Sequence, residues 1–543
     1  MNKYWYKNAV IYSLDVETFK DSNGDGIGDF KGLKESLPYL SSLGVTCLWL
    51  LPFFDTPNKD NGYDVRDYYK VDARLGDMGH FAELIDSADE AGIRVIIDLA
   101  VNHTSTQHEW FQKSRKGKDS KYRDFYIWVD EKPKNDNNNM MTGGEDGGSN
   151  WKYDEEADAF YYHTFFSHQP DLNISNEDVQ KEIFRIMHFW LKLGVSGFRI
   201  DAAPHMFTEK GKVDFGEDPH SIFRHFREFV ETHKKDAILL AEVDLEPEKY
   251  EKFLGDEDQM HMLFNFYVNN FLFLSFAKEE ATPVAKALKK MPQIQEKEQM
   301  AIFLRNHDEL NLDKLSDKEK EEVFKVFAPD ENMRIFGRGI RRRLASMLGN
   351  DRKKIELAHS LLFTLPGTPV LRYGEEIGMG EDLSMEGRSS VRTVMQWADR
   401  KNGGFSDART EKLIRNVISE GDFGYQKVNV NDQHRDPDSL LHWMERAINT
   451  RKEFPEFGWG NYEVLDTGSS KVLAHCRQSD KGLAIALHNF SSEEQKVKLK
   501  LKESEDIIDI FGDKKYKKFN TDTQEITLSP YGYRWLHKRH NFL

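Results

Sequence analysis

Short apolar runs alternate along the chain with longer stretches in which apolar residues recur at helical spacing. In the stretch that follows Ser175, one helical face carries Val179, Ile183, Ile186, Trp190 and Leu193. This periodicity predicts a helix over Asp178–Leu193, with Ser175 as its start signal and Gly194 as its stop signal. A second helix is predicted over Asp351–Leu365, where a Pro-Gly pair follows.

The apolar runs themselves are short enough to be buried strands. Because eight of them alternate with helical stretches, we predict the α/β class and a closed parallel (β/α)8 TIM barrel. The predicted strands are Ala9–Leu14, Thr46–Leu51, Arg94–Val101, Gly197–Ala202, Ala237–Val243, Met262–Phe266, Ala301–Leu304 and Pro369–Tyr373.

Two regions interrupt the alternation and predict additional domains. Residues 104–176 contain the polar run KPKNDNNNMMTGGEDGGSN and follow the third strand, which indicates an inserted domain. From Gly458 onwards the helical pattern gives way to short strands separated by turn residues, which predicts a β domain over 458–543. The barrel would then comprise 1–103 and 177–457. The predicted C-terminal strands are Lys471–Cys476, Leu483–Asn489, Lys496–Leu501 and Glu525–Ser529.

Charge and composition narrow the function classes. The 543 residues carry 76 basic and 92 acidic side chains, a net charge of −16. This balance argues against nucleic acid and anionic membrane partners and is compatible with a neutral substrate. Cys47 lies in an apolar run and is expected to be a buried, inert thiol. With no signal-peptide pattern and no long apolar span, a cytoplasmic location is expected. Whether the chain is a monomer or a homo-oligomer is left open.

Polar residues end four of the predicted strands. Because active sites of such barrels lie at the carboxyl ends of the strands, these residues are expected to share one face. Asp201, Glu242 and Asp308 would then surround one cavity. The full set of strand-end polar residues is Asp98, Asn102, His103, Arg199, Asp201, Glu242, Arg305, Asn306, His307 and Asp308.

Converging carboxylates beside His and Arg are suited to glycoside hydrolysis, in which one carboxylate attacks the anomeric carbon and a second, protonated, acts on the leaving oxygen. Arg199 would keep Asp201 ionised, and negative charge from Asp201 and Asp308 would raise the pKa of Glu242. A divalent-metal site is the competing interpretation. It is weaker, because Arg199 would repel a cation.

The strand-end segments GFRIDA, AEV, FLRNHDE and DLAVNHTS resemble the four short motifs of the α-amylase superfamily, glycoside hydrolase family 13. The resemblance implies a (β/α)8 barrel, a B domain after strand 3 and a C-terminal antiparallel β-sandwich. It also implies a retaining mechanism through a covalent glucosyl-enzyme. Asp201 would be the nucleophile, Glu242 the general acid/base and Asp308 the stabiliser of the transition state.

The same resemblance implies a sugar pocket around the attacked glucose, with Arg199, His103 and His307 as binding residues. In GYDVRDY, Tyr63 would stack on the terminal glucose and Asp64 would bind its hydroxyl groups. In VRTVMQW, Arg392 would pair with Asp64. Such a pair closes the end of the pocket, which favours small neutral α-glucosides over long polysaccharides.

Further segments are similar to the trehalose synthase branch of that family, which interconverts maltose and trehalose. They are HQPDLN, NGGFS and the long stretch Gly339–Gly380. Two departures stand against them: Val394 replaces the usual Pro after VRT, and HMFTEKGKVDFGEDPH lacks a Cys-Glu-Asn run. Exo-acting α-glucosidase hydrolysis therefore stays the alternative. A catalytically silent, amylase-like binding subunit is a remote third.

The segment DSNGDGIGD predicts the first part of an EF-hand-like Ca²⁺ loop. The family resemblance favours a structural Ca²⁺, and no organic cofactor is expected. The alternatives are an Asx-rich turn without metal at this loop and, separately, a second Ca²⁺ at Asn102 and Asp171. The expected ligands in the loop are Asp21, Asn23, Asp25, Asp29 and the carbonyl of Ile27.

Overall fold

The computed structural model describes residues 3–134, 148–207, 218–480, 482–499, 507–519 and 524–539. Two segments singled out above lie partly outside this range. Residues 135–147 of the Asn-rich loop and residues 208–217 of the segment HMFTEKGKVDFGEDPH are not among the described residues.

Eight parallel strands close into a barrel, which confirms the predicted fold class. Around the barrel their order is β1-β8-β7-β6-β5-β4-β3-β2, so each strand lies beside its sequence neighbour and β8 closes onto β1. Each strand falls within or next to a predicted run. The strands are β1 Ile11–Leu14, β2 Cys47–Leu50, β3 Arg94–Leu99, β4 Gly197–Ile200, β5 Ile238–Ala241, β6 Met262–Phe264, β7 Gln299–Phe303 and β8 Thr368–Arg372.

The barrel interior is filled by apolar side chains from alternate strand positions, because successive side chains of a strand point to opposite faces. Cys47 is among them and is a free, buried thiol whose pKa is raised by burial, as expected. Towards the carboxyl ends the interior becomes polar. The apolar filling consists of Tyr6, Ala9, Ile11, Cys47, Trp49, Leu51, Ile96, Ile238, Leu240, Met262, Phe264, Phe266, Ala301, Phe303 and Val370.

Helices surround the barrel, and their apolar side chains contribute to one large core cluster. The helix after residue 176 is capped by Asn176, whose side chain accepts from the backbone N–H of Asp178 at 2.8 Å, so the predicted start at Ser175 is wrong by one residue. Asp351 caps the second predicted helix. The α-helices are Val16–Phe19, Phe30–Glu35, Leu37–Leu43, Met78–Glu90, Glu109–Ser114, Glu177–Lys192, Ser221–His233, Glu251–Leu254, Phe266–Lys278, Thr282–Lys290, Asp317–Phe327, Leu344–Met347, Arg352–Thr364, Val430–Arg435, Leu440–Glu453 and Glu456–Trp459.

Between β3 and β4, a small antiparallel sheet is formed by Trp128–Val129, Trp151–Asp154 and Ala159–Tyr162. After Trp459, the C-terminal part forms a five-stranded and a two-stranded antiparallel sheet that share an apolar core. The domain boundaries drawn from the sequence stay a prediction. The C-terminal strands are Asn461–Leu465, Val472–Gln478, Gly482–Asn489, Gln495–Lys498, Ile508–Gly512, Glu525–Leu528 and Tyr533–Arg539.

Within the described ranges, no helix combines the length and apolar character required to cross a bilayer.

Candidate active site

The three predicted catalytic carboxylates line one cavity of about 390 Å³ at the carboxyl end of the barrel. Asp201 comes directly after β4, Glu242 directly after β5, and Asp308 lies in the segment that follows β7. The parallel strands bring their ends to the same edge, so residues far apart in sequence converge. The structure therefore brings Asp201, Glu242 and Asp308 together as expected from the sequence.

Arg199, in β4, holds two of these carboxylates on one guanidinium group. Its Nη1 donates to Asp201 at 2.5 Å and to Asp98 at 2.9 Å, and its Nη2 donates to Glu242 at 2.6 Å. Asp98 is positioned for this contact because β3 and β4 pair it directly with Arg199. Arg199 is only 2% exposed, and although burial opposes its charge, these acidic neighbours raise its pKa well above the usual range. A divalent cation at this point would meet a fixed positive charge.

The pKa values of the two carboxyl groups differ. Burial raises the pKa of Asp201 to about 6, against the opposing effect of Arg199. Burial raises the pKa of Glu242 to about 7, again against Arg199, with smaller contributions from Asp201 and Asp308. The sequence predicted the direction for Glu242 but assigned it to the neighbouring negative charges. Removal from water is the larger cause.

Ala202 links the ends of β4 and β5. Its backbone adopts a left-handed conformation with φ of 47°, and its N–H donates to Glu242 at 3.2 Å. A non-glycine residue in this region is strained, and such residues recur at functional sites. The turn therefore directs a backbone donor at the carboxyl group of Glu242.

Asp308 lies among cations. Arg392 donates to it at 2.7 Å, and Arg388 approaches it at 3.3 Å. Burial alone would raise the pKa of Asp308, but the charges of Arg388 and Arg392 outweigh burial and hold that pKa well below its usual range. Asp308 therefore stays ionised wherever the protein is folded at moderate pH.

Tyr63, His103 and His307 form one side of the pocket. The hydroxyl of Tyr63 donates to Asp98 at 3.1 Å and pairs with Nε2 of His307 at 2.8 Å. The rings of Tyr63 and His307 are stacked with centroids 5.7 Å apart. His103 Nε2 pairs with the backbone carbonyl of Tyr63 at 3.2 Å. The predicted sugar-binding residues around Arg199 thus lie together.

The predicted pair between Asp64 and Arg392 is wrong. Asp64 is fully buried and turns back onto its own loop. Its carboxylate accepts from Thr56 Oγ1 at 3.1 Å and from the backbone N–H groups of Lys59 and Asp60 at 3.0 Å each. Arg392 instead donates to Asp308 and to the backbone carbonyl of His307 at 2.7 Å.

Asp60 is one of the pocket residues that the sequence prediction missed. It lines the cavity together with Arg388. Gln169, in the segment HQPDLN, donates to its carboxylate at 2.9 Å. Burial raises the pKa of Asp60 to about 6, opposed by the charge of Arg388. Asp60 and Asp64 stand four positions apart in a polar loop, and the sequence carries no signal for which one faces the cavity.

The predicted Ca²⁺ loop folds through hydrogen bonds between its own side chains and backbone. Asp21 accepts from the N–H groups of Asn23, Gly24 and Gly26, and Asp29 caps the helix Phe30–Glu35 through the N–H of Gly32. Asn23 and Asp25 each accept from the backbone two residues on. No group of three or more His, Cys, Asp or Glu side chains suited to a metal is found in the described part of the chain. The calcium site and its ligands stay a prediction.

At the possible second Ca²⁺ site, Asn102 turns its amide nitrogen to Asp171 and donates at 3.3 Å. Thr164 donates to the same carboxylate from its backbone N–H and its hydroxyl, at 2.7 Å and 2.6 Å. In the structure these residues therefore form a hydrogen-bonded unit.

The chain is similar to known proteins over almost its whole length. The family model of the α-amylase catalytic domain matches residues 13–328 and 331–460, and that of the maltogenic amylase C-terminal domain matches 462–535. The trehalose synthase/amylase TreS of Mycolicibacterium smegmatis is 39% identical, covering 98% of this chain and 93% of that protein.

A glucosidase is also related. The oligo-1,6-glucosidase of Bacillus cereus is 30% identical and covers 91% of this chain and 92% of its own length. Among solved structures, the trehalulose synthase MutB of Pseudomonas mesoacidophila MX-45 superimposes with a TM-score of 0.79 at 26% identity, over 98% of this chain and 99% of that one. The chain therefore belongs to the α-amylase family, family 13 of the glycoside hydrolases.

Proposed function

We propose that the protein is a retaining enzyme that interconverts maltose and trehalose through a covalent glucosyl-enzyme. The observation that carries this proposal is the pair of carboxyl groups on Arg199, with Asp201 and Glu242 bonded to the same guanidinium at 2.5 Å and 2.6 Å. Two carboxylates held so closely favour the ~5–5.5 Å spacing of retaining enzymes over the ~6.5–9.5 Å of inverting ones.

In the first step, ionised Asp201 attacks the anomeric carbon while protonated Glu242 gives its proton to the glycosidic oxygen. The pKa values support this division of roles, because that of Glu242, about 7, lies above that of Asp201, about 6. Asp308, kept ionised by Arg388 and Arg392, offsets the positive charge that develops on the sugar ring in the transition state. The first step releases glucose and leaves a β-glucosyl ester on Asp201.

In the second step, ionised Glu242 removes a proton from the acceptor hydroxyl, whose oxygen attacks the anomeric carbon and displaces the carboxylate of Asp201. If the acceptor is the anomeric hydroxyl of the released glucose, the product is trehalose. If it is the 4-hydroxyl, maltose forms again, and if it is water, the outcome is hydrolysis. Isomerisation therefore requires that the released glucose stays in the cavity and turns over before water enters.

The pocket is suited to short substrates. Its volume of about 390 Å³ is at the small end of the range for small-molecule sites. Asp60 and Arg388 provide a carboxylate and a guanidinium for sugar hydroxyl groups at its wall. Similarity to trehalose synthases at 39% identity supports the isomerase over the hydrolase, while the oligo-1,6-glucosidase relative supports the alternative of an exo-acting α-glucosidase.

Product analysis tests the proposal. The purified protein is incubated with maltose, trehalose, sucrose and isomaltose side by side, and Asp201→Asn serves as the inactive control. Trehalose as the main product from maltose, and maltose from trehalose, is the expected result. Glucose alone would support the α-glucosidase. If none of the four sugars gives a product, the alternative of a catalytically silent binding subunit is supported. Full activity in Asp201→Asn would overturn the assignment of Asp201 as the nucleophile.

We also propose that the loop from Asp21 to Asp29 holds a structural Ca²⁺. The donor types support this, since carboxylate, amide and carbonyl oxygens are the ligands that Ca²⁺ takes. The carboxylate of Asp25 accepts the backbone N–H of Ile27 through Oδ1 and keeps lone pairs for a cation. Ser406, in the segment NGGFS, donates to Asp21 at 2.5 Å, so an ion there would tie this distant segment to the loop. We also propose a cytoplasmic location for the protein.

A further inference from the structure

Another cavity, of about 660 Å³, lies at the end of the barrel opposite to the active site. Lys7, which precedes β1, and Gln299, which begins β7, both line it. They mark the amino ends of these strands, whereas the catalytic carboxylates lie at the carboxyl ends. The helix Glu456–Trp459 and the C-terminal strands Asn461–Leu465 and Val472–Gln478 also contribute to its wall. The cavity therefore lies between the barrel and the C-terminal sheets and is separate from the sugar pocket.

Lys7 brings an ammonium group to this cavity that the rest of the described chain does not pair. The residue is 5% exposed, and its Nζ makes no hydrogen bond or ion pair with any described residue. The ring of Trp459, which lines the same cavity, has its centroid 5.2 Å from this Nζ. Lys234, by contrast, donates to the carbonyls of Gly194 at 2.8 Å and Val195 at 3.0 Å. The ammonium of Lys7 therefore lacks the acceptors that a buried lysine normally finds.

Arg477 is a second buried cation at this cavity, and it is 4% exposed. Its Nε and Nη2 donate to the backbone carbonyls of Glu456 at 3.4 Å and Gly458 at 3.2 Å, whereas its Nη1 has no partner within the described ranges. Burial lowers the pKa of Arg477 to about 10. Burial, with a smaller contribution from the charge of Arg477, lowers the pKa of Lys7 to about 8. Because burying an unpaired charge is costly, two such cations around one cavity favour an anionic ligand.

The remaining lining narrows the class of this anion. Trp459 offers an aromatic ring on which the apolar face of a sugar can stack. Glu296 and Glu463 also line the cavity and are exposed. Their carboxylates can accept hydrogen bonds from hydroxyl groups but would repel a ligand with several phosphates. Gln293 and Asn461 add side-chain amides that both donate and accept. A ligand with one phosphate and several hydroxyl groups matches this combination.

We propose that this cavity binds a phosphorylated monosaccharide, with its phosphate held by Lys7 and Arg477 and its sugar ring against Trp459. An ammonium and a guanidinium both bind phosphate through charge-assisted hydrogen bonds. The ligand contacts the barrel through Lys7 and the C-terminal sheet through Arg477, so binding stabilises the junction between them. No step of the glucosyl transfer passes through this cavity.

Calorimetric titration of the full chain with glucose 6-phosphate tests the ligand class, with glucose alone and inorganic phosphate alone as comparison ligands. One glucose 6-phosphate per chain is expected, bound at least roughly tenfold more tightly than either comparison ligand. Equal affinity for glucose would place the binding in the sugar pocket and overturn the proposal. Equal affinity for inorganic phosphate would reveal adventitious anion binding only, and absence of binding would overturn the proposal as well.

Two variants test the position of the site. Lys7→Met should weaken the binding of glucose 6-phosphate at least roughly tenfold, and Trp459→Ala should weaken it while leaving the affinity for inorganic phosphate unchanged. Lys3→Met is the matched control, because Lys3 is half-exposed and lies over the ring of Tyr4. Equal affinity in Lys7→Met and Lys3→Met contradicts the proposal. A crystal of the unmodified chain soaked in glucose 6-phosphate needs no variant: ligand density against Lys7 and Trp459 is expected, and density confined to the sugar pocket would refute the site.

Discussion

At the scale of single residues, Arg199 decides the chemistry of the site. It contacts Asp98, Asp201 and Glu242 at once, so it fixes the position of both reacting carboxyl groups and lowers the pKa of each against the effect of burial. The pKa is about 6 for Asp201 and about 7 for Glu242. Between these two pH values, Asp201 is mostly ionised and Glu242 is mostly protonated. An acid and a nucleophile can then coexist at one pH.

The pH dependence follows from these two values. Asp201 must be ionised and Glu242 protonated, so kcat/KM for maltose should rise through about pH 6 and fall above about pH 7. Because the two groups share Arg199, the two apparent pKa values of this pH profile belong to the pair and not to either residue alone. Initial rates across the acidic and alkaline range measure the profile. A flat profile through both pKa values would contradict the roles assigned to Asp201 and Glu242.

The pocket role of Asp60, in place of Asp64, is tested by a pair of variants. Asp60→Ala should raise KM for maltose at least roughly tenfold, since a charged hydrogen bond is worth ~1.5–3 kcal/mol, with little change in Tm. Asp64→Asn should act first on Tm, because that carboxylate accepts three hydrogen bonds inside its loop. Kinetics and thermal melts of both variants give the answer. The opposite pattern would return the pocket role to Asp64.

At the scale of elements, the helix Glu177–Lys192 provides a stability prediction. Asn176 caps it, whereas Ser175 bonds to the side chain of Asn173 at 2.6 Å. Asn176→Ala should lower the free energy of unfolding by about 1 kcal/mol, and Asn176→Asp, which keeps a capping oxygen, by less. Ser175→Ala is the control. Urea unfolding measures all three, and a larger loss in Ser175→Ala would restore the cap expected from the sequence.

Elements are more predictable than contacts in this chain. The barrel strands can be located because each is a short apolar run, and the catalytic trio because Asp201, Glu242 and Asp308 follow such runs. The predicted pair of Asp64 with Arg392 is wrong because spacing does not reveal how a loop folds back. Here Asn61 and Gly62 take left-handed φ values of 48° and 89° and reverse the chain between Asp60 and Asp64. Arg388 carries no strand-end signal, since it reaches Asp308 from a segment beyond β8.

At the scale of the whole molecule, the proposed Ca²⁺ in the Asp21–Asp29 loop should stabilise the folded protein. If the loop binds Ca²⁺, a chelator should lower Tm, since a ligand at one hundred times its Kd stabilises the fold by about 2.7 kcal/mol. Activity at low temperature should survive, because none of these residues lines the cavity. Asp25→Asn should blunt the effect of chelator and is the matched variant. If Tm does not respond to chelator or to added Ca²⁺, the loop is a turn without metal.

Closure of the barrel sets the order in which the chain can finish folding. Thr368, in β8, donates a hydrogen bond to the backbone carbonyl of Tyr6, which lies 362 residues earlier. At ~5–20 residues per second of synthesis, the ribosome needs roughly 20–70 s to make that interval. During this time the edge of β1 that pairs with β8 in the folded protein has no strand beside it, so the barrel cannot close until its last strand has been made.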